Sequence, residues 1–224
     1  MACPAFSNIP INKLEIAQSE ASKKITDPHQ LSLAKDAFIR FYEANIPVKY
    51  WTLDMVNFTG DPRLLDWYKK VSEDISATYK KGTAACLAGS FGLGKTLAST
   101  CILKSSLLKG YSALYVTLED ILVSIKKYDF YEARKELLMT HFLVIDEVDP
   151  RYMATEASSD MHGRMVESIL RYRTQNKMPL FLCTNATDIE EAFSGSIKQA
   201  ISSLMNYVDV FPVLGKDYRK QEKV

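Results

Sequence analysis

Apolar residues in the second half of the chain fall into short continuous runs, separated by longer segments that repeat apolar residues with a helical period. Short apolar runs are typical of parallel strands that are covered on both faces. Their alternation with helices predicts an α/β protein with a parallel sheet and right-handed crossovers. The predicted strands are 84–88, 112–117, 141–145, 180–184 and 207–212, and the predicted helices are 95–109, 118–127, 131–139, 161–175 and 196–205.

The first third of the chain contains two helix start signals. In each, an aspartate precedes a proline, at Asp27-Pro28 and at Asp61-Pro62. The carboxylate can cap the first turn, where the proline is tolerated. The first helix is predicted to end before Pro47, and the second to run unbroken to Gly82. The aromatic segment 46–51 between them is predicted to be extended.

These patterns predict a helical N-terminal segment over residues 1–45 and a main domain over residues 46–224. The helix that begins at Asp27 carries apolar residues on one face. That face is compatible with packing against the main domain and also with binding a partner protein.

Composition excludes several classes of protein. The chain has 224 residues and a net charge of +1, so any contact with DNA has to come from a local patch. Its four cysteines form no C-x-x-C pair, which argues against a zinc site and a disulfide framework. Residues 1–10 lack the pattern of a secretory signal, and no apolar run is long enough to span a bilayer. We therefore expect a cytoplasmic protein without a membrane partner.

The strongest chemical signal is the sequence G-x-x-x-x-G-K-T at residues 89–96, between a predicted strand and a predicted helix. In such a loop, backbone N–H groups close around phosphate oxygens, and the helix N-terminus favours negative charge. Lys95 supplies a positive charge, and the hydroxyl of Thr96 can bind Mg²⁺. A P-loop NTPase that binds a nucleoside triphosphate and Mg²⁺ is therefore predicted. The residues expected to bind the nucleotide are Gly89, Ser90, Phe91, Gly92, Leu93, Gly94, Lys95 and Thr96.

Two further strands end in polar residues. Strand 141–145 is followed by Asp146 and Glu147, and strand 180–184 by Asn185. Ligands of open α/β sheets bind at the carboxyl ends of the strands. Asp146 is therefore expected to hold Mg²⁺, and Glu147 to orient or deprotonate the attacking water, unless it only caps the next turn. Asn185 is a candidate for binding the γ-phosphate or that water, although Asn is also common in turns.

In this order and spacing, residues 89–96, 142–147, 184–185 and 215–219 resemble the AAA+ ATPases of the DnaC/DnaI helicase-loader and IstB branch. The segment 168–173 and the strand after Pro179 are similar to that branch as well. The resemblance implies an AAA+ core with five parallel strands in the order 5-1-4-3-2. It also implies a sensor-1 role for Asn185 and a sensor-2 role for Arg219, which would reach the nucleotide. With Lys95 and Glu147, these residues complete the expected catalytic set.

The resemblance also implies partners. Members of this branch assemble into homo-oligomers on single-stranded DNA, with ATP at the subunit interfaces. Loaders deliver a replicative hexameric helicase, whereas IstB-like relatives assist a transposase. We therefore expect an ATPase of DNA replication that acts as a helicase loader. The alternatives are a transposition regulator of the IstB or TnsC kind, a weakly hydrolysing ATP-dependent scaffold, and a small-molecule kinase. The kinase is disfavoured because the sequence shows no arginine-bearing lid.

One departure from the family pattern bears on the rate of hydrolysis. Where the branch carries a segment like D-R-L, this chain has Ser202-Ser203-Leu204. An arginine supplied to the transition state can contribute several orders of magnitude in rate. Slow or partner-stimulated hydrolysis is therefore expected. Lys198, Arg164 and Arg171 remain open as substitutes.

Two aromatic stretches have two interpretations each. Lys126, Lys127 and Tyr128 place basic residues beside an aromatic ring, which suits single-stranded DNA but also a solvated helix face. Tyr50 and Trp51 either lie near the adenine of a bound nucleotide or pack in the core.

Overall fold

The computed structural model describes residues 6, 9–126, 130–149, 156–186, 198, 202 and 208–217. Within these residues, none of the helices is long and apolar enough to cross a bilayer. The chain also forms a short 3-10 turn at Val48–Tyr50. The helices and strands are α1 (Ile11–Lys24), α2 (Pro28–Glu43), α3 (Pro62–Glu73), α4 (Ile75–Lys81), β1 (Ala84–Ala88), α5 (Lys95–Leu108), β2 (Ala113–Thr117), α6 (Leu118–Lys126), α7 (Phe130–Met139), β3 (Phe142–Asp146), α8 (Glu156–Gln175), β4 (Leu180–Thr184) and β5 (Asp209–Pro212).

The five strands form one parallel sheet in the order β2-β3-β4-β1-β5, which confirms the expected order 5-1-4-3-2. In the register, Ala88 lies opposite Thr184, and Thr117 opposite Asp146. The carboxyl ends of the strands therefore meet at one edge of the sheet. Of the predicted helix 196–205, only residues 198 and 202 lie within the described part of the chain.

The sheet is buried on both faces, as its apolar runs predict. One face packs with α6, α7 and α8, through residues such as Ile121, Leu137 and Ile169. The other packs with α5 and the N-terminal segment, through residues such as Ile102 and Phe41. Burial of each such side chain contributes about 1.5–3 kcal/mol relative to exposure.

The N-terminal segment packs on this core. Phe41 and Ala44 are buried in the same cluster as Phe142 of the sheet. The carbonyl of Ala44 accepts a hydrogen bond of 2.9 Å from the N–H of Tyr115, so the chain after α2 covers the open edge of β2. Covering an edge strand removes a template for pairing with another chain. Part of the apolar face of α2 therefore packs within its own chain. The domain boundary at residue 45 stays a prediction.

The prediction of a single helix from residue 62 to residue 81 is wrong, because the helix is interrupted at Asp74. Asp74 adopts φ −130° and ψ 88°, and its carboxylate accepts a hydrogen bond of 2.9 Å from the N–H of Ala77. This side chain competes with the backbone for the donor and begins a new helix. The apolar stripe does not reveal the break, because Val71 and Ile75 are buried on either side of it.

The segment 46–51 is not extended throughout, since residues 48–50 form the 3-10 turn. Trp51 stabilises this turn: its indole Nε1 donates a hydrogen bond of 2.7 Å to the carbonyl of Ile46. Its ring stacks on Phe38 of α2, with 5.7 Å between centroids. Both contacts draw the chain back onto α2 and prevent a strand.

Candidate nucleotide site

A cavity of about 660 Å³ opens at the carboxyl end of the sheet. Its walls include residues 91–97, Tyr115, Asp146, Glu147 and Asn185. The predicted phosphate loop, the acidic pair and the polar end of β4 therefore share one cavity. This is where the ligands of open α/β sheets bind.

The loop after β1 depends on glycine at two points. Gly89 has φ 151°, and a Cβ there would lie 2.3 Å from the carbonyl oxygen of Val213. Gly94 has φ 89°, and a Cβ there would lie 2.5 Å from the ring of Phe58. Any larger residue would push the loop away from its neighbours. The loop leads directly into α5, whose N-terminal residues line the cavity and favour an anion there.

Lys95 is the first residue of α5 and is only 6% exposed. Its ammonium group donates hydrogen bonds of 2.7 Å to the carbonyls of Gly89 and Ser90. A third bond, of 3.0 Å, goes to Oδ1 of Asn185. The structure therefore brings Lys95 and the predicted sensor residue into contact. The charge of Lys95 lies beside the cavity, where phosphate oxygens can compete for it.

Asp146 ends β3 and is 6% exposed. Its Oδ2 accepts hydrogen bonds from the hydroxyls of Thr96, at 2.7 Å, and Tyr115, at 2.8 Å. Its Oδ1 accepts one of 2.7 Å from the N–H of Glu147. Burial raises the pKa of the Tyr115 hydroxyl, and the negative charge of Asp146 raises it further, so this hydroxyl stays a donor.

These donors fit Mg²⁺. Carboxylate and hydroxyl oxygens are the hard ligands that this ion prefers. The hydroxyl of Thr96 donates its hydrogen bond to Asp146, so the lone pairs of its oxygen remain available to the metal. No cluster of three or more His, Cys, Asp or Glu side chains able to hold a metal occurs in the described part of the chain. Mg²⁺ does not require such a cluster, because it usually binds one or two protein carboxylates together with substrate phosphates and water.

Glu147 lies on the cavity wall and is exposed. It has φ 50°, an uncommon conformation for a residue other than glycine. Pairing resumes directly after it, because the N–H of Val148 donates a 3.0 Å hydrogen bond to the carbonyl of Cys183. The strained backbone at Glu147 turns the chain at the mouth of the cavity. Such conformations cluster at functional sites.

Several predicted site residues lie outside the described part of the chain. They are Arg219, Lys127 and Tyr128. Lys126 ends α6, but its side chain is not described. The candidate substitutes for the missing arginine, Arg164, Arg171 and Lys198, are all exposed, and Arg171 pairs with Glu167. The roles assigned to these residues stay predictions.

The two aromatic residues considered for the adenine have different positions. Tyr50 lines the cavity. Trp51 is 4% exposed and belongs to the core cluster beneath α2. The ammonium group of Lys104 holds this region against α5 by donating hydrogen bonds to the carbonyls of Tyr50 and Leu53.

A second cavity, of about 440 Å³, lies on the β5 side of the phosphate loop and includes residues 59–63, Leu93 and residues 214–216. Leu93 lines both cavities. Asp61 fixes its wall, because its Oδ2 accepts a 2.8 Å hydrogen bond from the N–H of Leu214. The bidentate contact with the guanidinium group of Arg63, together with hydrogen bonds from the backbone N–H groups of Leu214 and Arg63, lowers the pKa of Asp61 to about 2.

Sequence reasoning missed Tyr115 as a member of the site. A tyrosine inside an apolar run resembles any other core aromatic residue. The available signal is its position on β2, two residues before Thr117, which pairs with Asp146. Residues two apart in a strand share a face, so a long side chain at position 115 can reach the acidic end of β3.

No family model matches the sequence, and no curated protein does. Solved structures do match. The crystal structure of DnaI is 18% identical over 77% of this chain and 94% of its own, with a TM-score of 0.62. The DnaC helicase loader is 18% identical over 74% of this chain and 99% of its own, with a TM-score of 0.60. The replication initiator DnaA bound to AMPPCP and single-stranded DNA is 16% identical over 76% of this chain and 51% of its own, with a TM-score of 0.60.

These similarities show the fold. The chain has the P-loop fold of AAA+ type. Within that class, its fold is like that of the DnaI and DnaC helicase loaders, as the sequence resemblance implies.

Proposed function

We propose that this chain is an ATPase of DNA replication that acts as a helicase loader. The observation that carries the proposal is the meeting of Lys95, Thr96, Asp146 and Asn185 around one cavity. A fold like that of DnaI and DnaC supports the choice of helicase loading among the functions of P-loop proteins. Fold alone does not determine function, so the chemistry of the cavity has to carry the catalytic part.

The triphosphate binds over the phosphate loop. Its oxygens replace the carbonyls of Gly89 and Ser90 as acceptors for Lys95, and the N-terminus of α5 adds a favourable dipole. Thr96 and Asp146 would hold Mg²⁺, and the bound ion would supply positive charge to neutralise the phosphates. Leu93 lines both this cavity and the smaller one next to β5. The base enters the smaller cavity, where Leu93 and Leu214 offer apolar contact.

Hydrolysis needs a water molecule in line with the γ-phosphate. The carboxylate of Glu147, exposed on the cavity wall, takes a proton from that water. The water oxygen then bonds to the γ-phosphorus as the bond to the bridging oxygen of ADP breaks. Asn185 orients the water or the γ-phosphate, and Arg219 contributes charge as its resemblance to sensor 2 implies.

The proposed partners are a replicative hexameric helicase, single-stranded DNA and further copies of this chain, with ATP at the subunit interfaces. One structural neighbour, the replication initiator DnaA, is bound to single-stranded DNA and a nucleotide analogue in its structure. Lys126, Lys127 and Tyr128 remain the proposed DNA contacts. A weakly hydrolysing scaffold is the second candidate, because Ser203 stands where the branch carries an arginine.

The substitution Glu147→Gln tests the catalytic assignment. Phosphate release should fall at least about 100-fold, because general base catalysis contributes that much or more. Affinity for a fluorescent ATP analogue should change little, since the amide keeps the shape of the side chain. Glu20→Gln, at an exposed position on α1, is the matched control and should hydrolyse ATP at the parent rate. A Glu147→Gln protein with unaltered hydrolysis would remove Glu147 from the mechanism.

The same variant, loaded with ATP, also serves to identify the partner. It should assemble into oligomers, bind single-stranded DNA and retain a purified hexameric helicase on a column. Retention of a transposase instead would favour the transposition regulator. If the unsubstituted protein hydrolyses no ATP even with helicase and DNA present, while still assembling with ATP, the scaffold is the correct function.

A further inference from the structure

Tyr115 is a buried residue of β2, 7% exposed, that sequence reasoning did not connect with the site. Its hydroxyl donates a hydrogen bond of 2.8 Å to Oδ2 of Asp146. The same oxygen accepts from Thr96. The carboxylate that is proposed to hold Mg²⁺ is therefore held in turn by two hydroxyl groups.

The direction of these contacts fixes the orientation of the carboxylate. Tyr115 approaches from the neighbouring strand β2, whereas Thr96 approaches from the start of α5. The other oxygen, Oδ1, accepts from the N–H of Glu147. Three donors from three parts of the chain leave the carboxylate one favourable orientation. A phenylalanine at position 115 would fill the same space without holding Oδ2.

The backbone of Tyr115 is itself fixed from outside the sheet. Its N–H donates to the carbonyl of Ala44, at 2.9 Å, and its carbonyl accepts from the side-chain amide of Asn45, at 3.1 Å. Asn45 is 7% exposed and has φ 54°, a conformation that asparagine tolerates better than most residues. The chain after α2 thus supports the strand position from which the hydroxyl reaches Asp146.

We propose that Tyr115 is a positioning residue for the Mg²⁺ site: it does not bind the ion itself but orients the carboxylate of Asp146 through its hydrogen bond to Oδ2. This inference rests on the proposed function, since it concerns the metal that accompanies ATP. Partners of this kind fix the direction of a ligand, and their loss typically weakens metal affinity about 10–100-fold. Because Thr96 and the N–H of Glu147 remain in place, we expect the lower end of that range.

The experiment is a Mg²⁺ titration of the Tyr115→Phe protein in the presence of a fluorescent, non-hydrolysable ATP analogue. The Mg²⁺ concentration that gives half of the maximal increase in analogue binding should rise about tenfold. Analogue affinity in EDTA should stay unchanged, because the phosphate loop is intact. Tyr111→Phe is the matched control: it also loses a hydroxyl contact, the 3.1 Å bond to Ser76, but outside the cavity. It should titrate as the parent does.

The outcomes separate the two proposals. If the parent protein binds no analogue with or without Mg²⁺, the proposed function fails. If the parent responds to Mg²⁺ and Tyr115→Phe responds at the same concentration, the positioning role fails and the function stands. The positioning role would also be overturned if Tyr115→Phe lost as much affinity for the analogue in EDTA as it loses in the presence of Mg²⁺. That result would show that Tyr115 only maintains the shape of the cavity. Thermal unfolding of both variants establishes that each is folded.

Discussion

The two ends of the parallel sheet each contain a buried cation, and the two differ in what surrounds them. At the carboxyl end, Lys95 contacts carbonyls of the phosphate loop and the side chain of Asn185. At the amino end, Arg173 of α8 is 0% exposed. Both cations donate to backbone oxygens. Lys95 lies on the wall of the 660 Å³ cavity, and Arg173 does not line that cavity.

Arg173 joins three parts of the chain. It donates to the carbonyls of Leu137 and Thr140 near the end of α7, at 2.8 and 2.9 Å. It also donates to those of His141 and Pro179, just before β3 and β4, at 3.1 and 2.7 Å. No carboxylate pairs with it among the described residues, and its Nε lacks a hydrogen-bond partner there. Burial lowers the pKa of Arg173 to about 9.

The comparison shows that a buried cation bonded to carbonyls is not by itself a sign of function. Arg173 is fully buried and its four partners are backbone carbonyls, so a ligand from solvent does not reach its guanidinium group. The partners of Lys95 border a cavity, so a phosphate can compete for the same ammonium group. A buried charge with fixed partners contributes to stability, whereas one with replaceable partners is available for binding.

The largest expected effect is on stability. Arg173→Met should lower the free energy of unfolding by about 4 kcal/mol, because four backbone carbonyls, two of them in fully buried hydrogen bonds, lose their donor. Urea unfolding measures the change. Arg171→Met is the matched control, two residues away on α8 and exposed, and it should change stability by less than about 0.5 kcal/mol. Equal stability of the Arg173 variant and the parent would show that water or a rearranged neighbour satisfies these carbonyls.

The second effect is on binding. Lys95→Met should weaken binding of an ATP analogue at least about 100-fold, or about 2.7 kcal/mol. Its unfolding free energy should fall by less than about 1 kcal/mol, because water in the cavity can satisfy the carbonyls left without a donor. Lys109→Met, just beyond the end of α5 and exposed, is the control for loss of a lysine. If Lys95→Met is as unstable as Arg173→Met, the distinction between the two ends of the sheet is lost.

The sequence predicts one of these two cations and not the other, for a physical reason. Lys95 lies in a motif whose glycines and spacing are required by contact with phosphate, so the pattern carries the chemistry. Arg173 lies on an amphipathic helix, where a polar residue normally faces solvent. Its burial depends on where α7, β3 and β4 meet, and these contacts join residues up to 36 positions apart.

Elsewhere in the fold and the site, too, the sequence pattern predicts what depends on neighbouring residues and misses most contacts between distant ones. The strands are predictable because burial on both faces leaves a continuous apolar run, while their order came from the family resemblance. Asp74 breaks a helix through one local hydrogen bond that the apolar stripe does not show. Tyr115 joins the site through a contact between neighbouring strands, 31 residues apart in sequence. Short-range pattern therefore predicts the elements and the phosphate loop, including Thr96, but not the contact between Tyr115 and Asp146.

The smallest expected effect tests the comparison between the two ends of the sheet. It concerns Asp61, a charged residue near the carboxyl end that we expect to contribute to stability and not to binding. Asp61 begins α3 and accepts from Leu214 after β5, so it ties two parts of the chain together beside the smaller cavity. Asp61→Asn should lower the free energy of unfolding at pH 7 by about 1–2 kcal/mol. The lowering of the pKa from 3.8 to about 2 corresponds to a somewhat larger change in the free energy of unfolding. We expect less than that because Arg63 is half exposed and solvent screens the pair.

The dependence on pH distinguishes this charge effect from simple loss of a helix cap. Because folding lowers the pKa of Asp61, its contribution is complete above the unfolded value of 3.8 and is lost as the pH falls toward 2. The difference in unfolding free energy between the parent and Asp61→Asn should therefore be constant from about pH 5 to pH 7. It should shrink to less than about half at pH 2.5, as measured by urea unfolding at each pH. A difference that is the same at pH 2.5 and pH 7 would assign the effect to the lost geometry of the cap and not to the charge.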